Sequence, residues 1–346
     1  MSTTFIGTTF PKSYQWHQDE VDLICSIQRQ IESQFTNTQN LFINTTWFGP
    51  QFDNGQYAKF QKLVSQNQRF DNVFLLAAAD PVFLNADQIA QLAVDCGAQH
   101  SFLLGHFDTP YNFNFHSRVI SKYFKTYQLE ELMLEHPRWL YLNYNRKPRD
   151  HRAQFVEKLF ENDLQHLGII TLGKDHPNYN KSNIVPQELN LNESPNDGNW
   201  GMSMEFGIPH DIHSLGNLTI WQQHFLNIVG ETEFFPWDNM FISEKTWKPI
   251  LGLRPFVING QTKIYKYLRD QGFQTFNHYW PQVDVEGATE LEVHDTIVQV
   301  IKYLQELDPA DLQNMYQRMW PALTHNRNRF WEFAKEQKYK IENLFK

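Results

Sequence analysis

The stretch FISEKTWKPILGLRPFVING, residues 241–260, places charged residues directly before an apolar segment. Its second half, RPFVING, is rich in β-branched and aromatic residues between Pro255 and Gly260, which predicts a buried strand. Its first half predicts a short helix that Ser243 caps and Gly252 ends. A charged helix directly before a core strand is unusual for pure scaffolding, so this stretch directs attention to function.

Outward from this stretch, strand segments alternate with amphipathic helical segments, which predicts parallel sheets with right-handed crossovers. Residues 174–210 predict a long irregular segment, and residues 288–346 are mostly helical in pattern. The predicted strands are 41–48, 72–80, 101–108, 138–145, 168–173 and the opening stretch's second half, and the predicted helices include 55–66 and 85–97. Residues 147–164 predict a loop followed by an amphipathic helix, and regular structure is expected again at 218–232 and 262–272.

The chain has 346 residues, a length that predicts two domains with a core each. We expect an α/β fold with domains at 1–137 and 138–320, and a last helix, 321–346, that packs back on the first domain. In such folds ligands bind at the carboxyl ends of the strands, facing the cleft.

Composition excludes several classes of protein. Aromatic residues make up 15 % of the chain, which indicates a folded globular protein. We expect no membrane span, no secretory signal and a cytoplasmic location.

Cys25 and Cys96 fit a reducing compartment, and we expect both to be small core residues. The net charge of −9 argues against a nucleic-acid coat, although a local basic cleft stays open as an alternative.

The common catalytic signatures are missing: there is no Walker A loop, no G-x-G-x-x-G after a strand, no G-x-S-x-G and no H-E-x-x-H. His210 and His213 come closest to a ligand pair, but they lie in the irregular segment. We therefore expect no metal site.

A first charged group follows the strand at 138–145. The segment NRKPRDHR (145–152) supplies several basic side chains, among them Arg149 and Arg152, at the start of the next helix. A helix N-terminus favours anions, and guanidinium groups added to it predict a phosphate site. The alternative is a solvated basic turn.

The second charged group lies in the opening stretch. Glu244 is placed to interact favourably with the helix dipole, and Lys245 can direct its ammonium across the cleft. The alternative is an ordinary ion pair between Glu244 and Lys248, one helical turn apart, with Lys245 in solvent.

The segment 225–260 resembles the donor-binding stretch of the α1,3-fucosyltransferase-type glycosyltransferases. LNYNRKPRDHRAQFVEKL (142–159) likewise resembles the arginine-containing strand, turn and helix with which their donor domain begins. The resemblance covers roughly residues 138–275. The residues that match the donor-binding stretch are Glu231, Ser243, Glu244, Lys245, Pro255 and Gly260.

This resemblance implies two facing Rossmann-like domains, known as the GT-B arrangement, with a sugar nucleotide held by the C-terminal domain. It implies a nucleotide-sugar donor, no further cofactor and no essential metal. Glu244 would bind the ribose hydroxyls, while Lys245 and Arg149 or Arg152 would hold the diphosphate. The implied donor-binding set is completed by Glu231, Ser243 and Asn143.

We therefore expect a hexosyl- or fucosyl-type glycosyltransferase, inverting and metal-independent, that moves a sugar from a nucleoside-diphosphate sugar to the hydroxyl of a glycan or another acceptor. A general base in the N-terminal domain would deprotonate that hydroxyl. Asp108 is the preferred candidate, followed by His106 and Asp80. As structural alternatives, the two aspartates are turn or cap residues and His106 is a core residue.

Two other functions fit the same features. One is a non-catalytic protein that closes two α/β domains on a phosphosugar or nucleotide. The other is a glycosyltransferase of virus or phage type that acts on modified nucleic acid, which the net charge of the chain disfavours.

Overall fold

The computed structural model describes most of the chain, and its described residues form two compact units. Unit 1 comprises Met1–Val119, Pro236–Phe241 and Ala334–Lys346, and unit 2 comprises Ile120–Phe235 and Ile242–Phe333. The described residues are 3–6, 15–44, 62, 69–78, 91, 94–145, 149–172, 204–205, 208–209, 214–234 and 240–346. The predicted helices 55–66 and 85–97 and the irregular segment 174–210 fall mostly outside these ranges.

Unit 1 contains a parallel sheet, as the alternating pattern predicts. Its strands are β1 (Thr3–Ile6), β2 (Asn40–Asn44), β3 (Asn72–Ala77) and β4 (His100–Gly105). They pair in the order β1-β2-β3-β4, and all of their pairings are parallel. The strands predicted at 41–48, 72–80 and 101–108 are present, but β3 ends at Ala77 and β4 at Gly105, earlier than the sequence predicted.

Helix α1 (Gln15–Gln34), like β1, precedes the alternation that the sequence pattern predicted. Leu23, Ile27 and Ile31 recur every four residues along α1 and are fully buried, so they form its core-facing stripe. Cys25 lies off this stripe and is exposed, whereas Cys96 is buried. The expectation that both cysteines are core residues is therefore wrong for Cys25.

Unit 2 contains a second parallel sheet. Its strands are β5 (Trp139–Asn145), β6 (Gly168–Leu172), β9 (His224–Gly230) and β10 (Phe256–Asn259), in the order β10-β9-β5-β6. A small antiparallel pair, β7 (Met204–Glu205) and β8 (Ile208–Pro209), precedes β9 along the chain. All residues of β9 and β10 are buried, as is typical of parallel strands whose two faces are both covered.

The helices after α1 connect and cover these strands. The helix α2 follows β4, α3 follows β5, α5 precedes β10, and α8 is the last helix. They are α2 (Phe115–Tyr123), α3 (Asp150–Glu161), α4 (Leu218–Gln223), α5 (Glu244–Leu251), α6 (Lys263–Asp270), α7 (Val293–Gln305) and α8 (Pro309–Glu342). None of the helices in the described ranges has the length and apolar character that a bilayer crossing requires.

The short helix α5 begins and ends where the sequence predicts. Ser243 is its N-cap and its Oγ accepts a hydrogen bond from the Lys245 N–H, while Gly252 is its C-cap. The fully buried Trp247 anchors the helix, because its ring packs against aromatic side chains of unit 2. Those side chains are Phe273, Phe330 and Phe333, with ring centroids 5.3–5.6 Å from that of Trp247.

The end of the chain packs within unit 1. The ring of Phe345 lies 5.5 Å from that of Phe74 and 5.6 Å from that of Phe35. The Gln30 side chain donates to the carbonyl of Ile341 at 2.8 Å and accepts from the Leu344 N–H at 3.0 Å. The last residues of the chain thus pack against the core of unit 1.

Arg254, directly before β10, is a fully buried cation. Its guanidinium donates to carbonyl oxygens that belong to several elements, and burial lowers its pKa to about 10. The guanidinium thus supplies hydrogen bonds to backbone oxygens that are buried in the interior, where water does not reach them. The acceptors are the carbonyls of Leu132, Trp221, His224, Gly252 and Leu253 and the hydroxyl of Tyr316.

We expect Arg254→Met to destabilise unit 2 by about 3 kcal/mol or more, because it removes charged hydrogen bonds and leaves buried carbonyls without a donor. Chemical denaturation measures this loss. The control is Arg138→Met, at an exposed arginine whose guanidinium lies 5.1 Å from the Trp139 ring, which should cost less than about 1 kcal/mol. Equal unfolding midpoints for the two variants would contradict the importance assigned to Arg254.

Candidate functional site

The sheet of unit 2 has a topological switch point between β5 and β9. From β5 the chain moves to β6 on one side, and it then returns to place β9 on the other side of β5. In open α/β sheets, ligands bind beyond the carboxyl ends of the strands at such a point. The described strands of unit 1 instead pair in chain order, with no such point among them. The topology therefore directs attention to the ends of β5 and β9.

Glu231, the first residue after β9, is the centre of a hydrogen-bond network at this edge. Its carboxylate is fully buried. The Oε1 atom accepts from the Ser243 N–H at 3.1 Å and from the Thr246 hydroxyl at 2.6 Å. The Oε2 atom accepts from the Thr232 N–H at 2.9 Å and from the Ser243 hydroxyl at 2.7 Å. This network attaches the N-terminus of α5 to the end of β9.

Two side chains at the N-terminus of α3 bind the backbone of the same turn. The carbonyl of Glu231 accepts from Arg152 Nη2 at 2.7 Å, from Arg152 Nε at 3.2 Å and from His151 Nε2 at 3.0 Å. Arg152 is only 2 % exposed. Its guanidinium therefore anchors the end of β9 from inside the protein, although the sequence pattern suggested a direct phosphate contact.

Arg149 occupies a different position on the same turn. Its Nη1 donates to the carbonyl of Thr232 at 3.1 Å and lies 3.5 Å from Glu233 Oε1. The Arg149 side chain is 28 % exposed, whereas that of Glu233 is 3 % exposed. Of the two arginines predicted for this site, Arg149 is the one that solvent reaches.

Lys245 lies in the first turn of α5. Its ammonium is 2.5 Å from Glu244 Oε1 and 3.3 Å from Ser243 Oγ. The Lys245 side chain is 23 % exposed, and that of Glu244 is 9 % exposed. The structure joins Glu244 in an ion pair to Lys245, its neighbour in the first turn of α5.

Asn143 is part of the sheet and is fully buried. Its Nδ2 donates to the carbonyl of Ile228 at 2.9 Å, and its Oδ1 accepts from Asn145 Nδ2 at 2.5 Å. Asn145 Oδ1 in turn lies over Gly230, where a Cβ atom would come within 2.3 Å of it. Asn143 therefore links β5 to β9, and a side chain at 230 would displace the Asn145 amide from the position it occupies over Gly230.

The candidates for a general base lie in unit 1 or outside the described residues. Asp108 is exposed, three residues after the end of β4. His106 is buried, and its Nε2 is hydrogen-bonded to the carbonyl of Ala78. Burial and, to a smaller extent, the nearby His116 lower the pKa of His106 to about 3. Asp80 lies outside the described residues.

The structure thus brings Glu231, Ser243, Glu244, Lys245, Arg149 and Arg152 together at one edge of unit 2, with Asn143 in the sheet beneath them. Sequence reasoning missed His151 and Thr246 as partners of Glu231. The signal for Thr246 was its position one helical turn after the cap residue Ser243. The basic residues Arg146 and Lys147 and the pair His210 and His213 lie outside the described residues.

Within the described part of the chain, no group of three or more His, Cys, Asp or Glu residues is placed to hold a metal ion. A scan against protein-family models finds no match for this sequence, and a search of the curated proteins finds no relative.

The histidines near this edge are held in the neutral form. Burial lowers the pKa of His151 well below 6.5, and the cation of Arg152 lowers it further. Burial, followed by the charge of Lys158, lowers the pKa of His294 to about 4. The His294 Nε2 lies 3.0 Å from Asn259 Oδ1, at the end of β10. Both rings pack against Phe234, with centroids 5.0 and 5.1 Å away.

These shifts predict that acid destabilises the fold. Because the folded-state pKa values of His151 and His294 lie below 6.5, the unfolded chain binds more protons as the pH falls through 6.5. The free energy of unfolding is then highest above pH 6.5. It decreases towards pH 5, by at most about 1.4 kcal/mol per histidine and pH unit. Urea unfolding at pH 7.5 and pH 5 measures the difference.

His294→Gln should reduce this pH dependence, because it removes one group that must stay neutral in the folded state. The same substitution at the exposed His136 is the matched control and should leave the difference between the two pH values as it is. A wild-type stability that does not change between pH 7.5 and pH 5 would show that these rings do not control it.

Proposed function

We propose that this protein is a glycosyltransferase that moves a sugar from a nucleoside-diphosphate sugar to an acceptor hydroxyl, with inversion and without an essential metal. The observation that carries the proposal is the placement of Lys245 and Arg149. Both are partly exposed cations near the carboxyl end of β9: Arg149 contacts the turn 231–233 directly, and Lys245 is connected to it through the Ser243 hydroxyl. A pair of fixed cations at a switch point is suited to a diphosphate.

The donor would be bound by the edge of unit 2. Lys245 and Arg149 would hold the diphosphate and stabilise the charge that develops on it as the bond to the sugar breaks. Glu244, next to Lys245 on α5, would accept hydrogen bonds from the ribose hydroxyls. Arg152 supports this site by anchoring the Glu231 carbonyl, which differs from the direct phosphate contact that the resemblance implied.

The reaction needs a base on the acceptor side, and Asp108 is the residue we propose. The acceptor oxygen attacks the anomeric carbon, its proton passes to the Asp108 carboxylate, and the nucleoside diphosphate leaves with the bonding electrons. His106 is less suited, because a pKa of about 3 makes it a weak base at neutral pH and its Nε2 is bound to Ala78. The GT-B arrangement, with unit 1 on the acceptor side, belongs to this proposal.

The direct test is release of nucleoside diphosphate from a panel of UDP-, GDP-, ADP- and dTDP-sugars with candidate acceptors. We expect turnover with one class of donor, and we expect it to persist in excess EDTA, since the cations of the protein neutralise the leaving group. A strict requirement for Mg²⁺ or Mn²⁺ would refute the metal-independent mechanism. Donor affinity with no release of nucleoside diphosphate would instead identify a binding protein.

Substitutions on α5 separate the roles of its charged residues. Lys245→Ala should lower kcat by about 10²–10³-fold and change donor affinity less, because its charge matters most in the transition state. Glu244→Ala should mainly weaken donor binding, since the ribose hydroxyls do not change charge during transfer. Lys248→Ala is the matched control on the same helix and should cost less than either.

The experiment compares kcat and donor affinity for the three variants with those of the wild type. Normal turnover by Lys245→Ala, together with an inactive Lys248→Ala, would show that the other side of α5 faces the donor. Asp108→Asn should keep donor binding and lose transfer, which is the result expected for a missing base.

A further inference from the structure

The Glu231 carboxylate is saturated with hydrogen-bond donors that come from the protein itself. A carboxylate offers about four acceptor positions, and here backbone and hydroxyl donors of Thr232, Ser243 and Thr246 use two on each oxygen. The side chain is also fully buried. Glu231 is therefore not available for a direct contact with a donor substrate, and its role at this edge must be a different one.

The Ser243 hydroxyl connects this carboxylate to Lys245. A hydroxyl has one proton to donate, and Ser243 donates it to Glu231 Oε2 at 2.7 Å. Its lone pairs then accept from the Lys245 N–H and from the Lys245 ammonium, each at 3.3 Å. The carboxylate thus sets the orientation of the hydroxyl, and the hydroxyl holds the ammonium together with Glu244 Oε1, which lies 2.5 Å from it.

We infer that Glu231 is a positioning residue that orients the Lys245 ammonium through the Ser243 hydroxyl. The inference rests on the proposed function, because Lys245 is the cation assigned to the diphosphate. It goes beyond the proposed function in one respect. The Lys245 ammonium is held in place for an incoming anion only when the buried Glu231 carboxylate accepts the proton of the Ser243 hydroxyl.

Glu231→Gln tests the carboxylate with little change of shape. The amide nitrogen must replace either Oε1, which faces the Ser243 N–H, or Oε2, which faces the Thr232 N–H. Neither backbone group can rotate away, so an N–H is opposed by an N–H in either orientation. The hydrogen bond that sets the Ser243 hydroxyl is then lost or displaced.

Thr246 provides the matched control for Ser243. Its hydroxyl also donates to Glu231, at 2.6 Å, but the hydrogen bonds described for it do not lead on to Lys245. Thr246→Val and Ser243→Ala each delete one hydroxyl that binds the same carboxylate. The two variants therefore differ in whether the link to the ammonium is cut. Ser243→Thr keeps the hydroxyl and serves as the rescue.

The experiment measures the affinity of the full chain for inorganic pyrophosphate by calorimetry, with thermal unfolding as a check of folding. We expect Glu231→Gln and Ser243→Ala to weaken pyrophosphate binding by about tenfold, the scale of one charge-assisted hydrogen bond. Ser243→Thr and Thr246→Val should stay within about twofold of the wild type. In a Lys245→Ala background, Glu231→Gln and Ser243→Ala should cause no further loss.

Equal losses for Ser243→Ala and Thr246→Val would overturn the inference, and so would losses that persist in the Lys245→Ala background. Either result would mean that Glu231 only holds the helix together. The predicted pattern of pyrophosphate affinities could also be found in a protein that turns over no nucleotide sugar. That result would refute the proposed transferase activity and would still support the positioning role of Glu231.

If the wild type binds no pyrophosphate, the proposed diphosphate site is refuted, and a second measurement then tests the positioning role of Glu231 without a ligand. After reductive ¹³C-methylation, the Lys245 methyl resonance, assigned with Lys245→Arg, reports the surroundings of Nζ directly. It should move in Ser243→Ala and stay in place in Thr246→Val. Movement in both variants or in neither would overturn the inference without reference to any ligand.

Discussion

A buried carboxylate must be surrounded by hydrogen-bond donors, and the edge of unit 2 at the end of β9 is organised by the way Glu231 meets this need. Its donors come from the next residue and from the first turn of a helix that begins thirteen residues later along the chain. Satisfying this one charge therefore fixes the entry of α5 against the end of β9. The placement of the Glu244 and Lys245 side chains depends on that attachment.

The cations of unit 2 differ in what their surroundings allow them to do. Arg152 and Arg254 are buried and donate to backbone carbonyls, so they stabilise turns and strand ends. Arg149 and Lys245 are partly exposed and lie at the carboxyl end of the sheet. Arginine occurs in both groups. The degree of burial, and not the residue type, therefore distinguishes the structural cations from those suited to bind a ligand.

The sequence alone predicts much of this fold, because its strands and helices have clear periodicity and clear ends. Ser243 as the cap and Gly252 as the end of α5 follow from local rules, and the structure confirms both. The first strand and helix of unit 1 escaped prediction, although Leu23, Ile27 and Ile31 carry the expected spacing.

The candidate site was predictable in its location and less so in its roles. Local patterns identify charged residues near strand ends, but they do not reveal which side chain is buried or which atom it binds. The sequence therefore did not separate Arg149 from Arg152, and it did not identify Arg254 as a structural centre. Both distinctions depend on contacts between residues that are far apart in the chain, such as Arg152 with Glu231 and Arg254 with Leu132.

The donors around Glu231 also determine how this edge responds to the salt concentration. They are backbone amides and hydroxyls in a buried setting, where dissolved ions do not enter and screening has little effect. Arg149 and Lys245, with side chains 28 % and 23 % exposed, are in contact with the solution and its ions. A higher ionic strength therefore screens the charges of Arg149 and Lys245 more than it affects the hydrogen bonds that hold α5 in place.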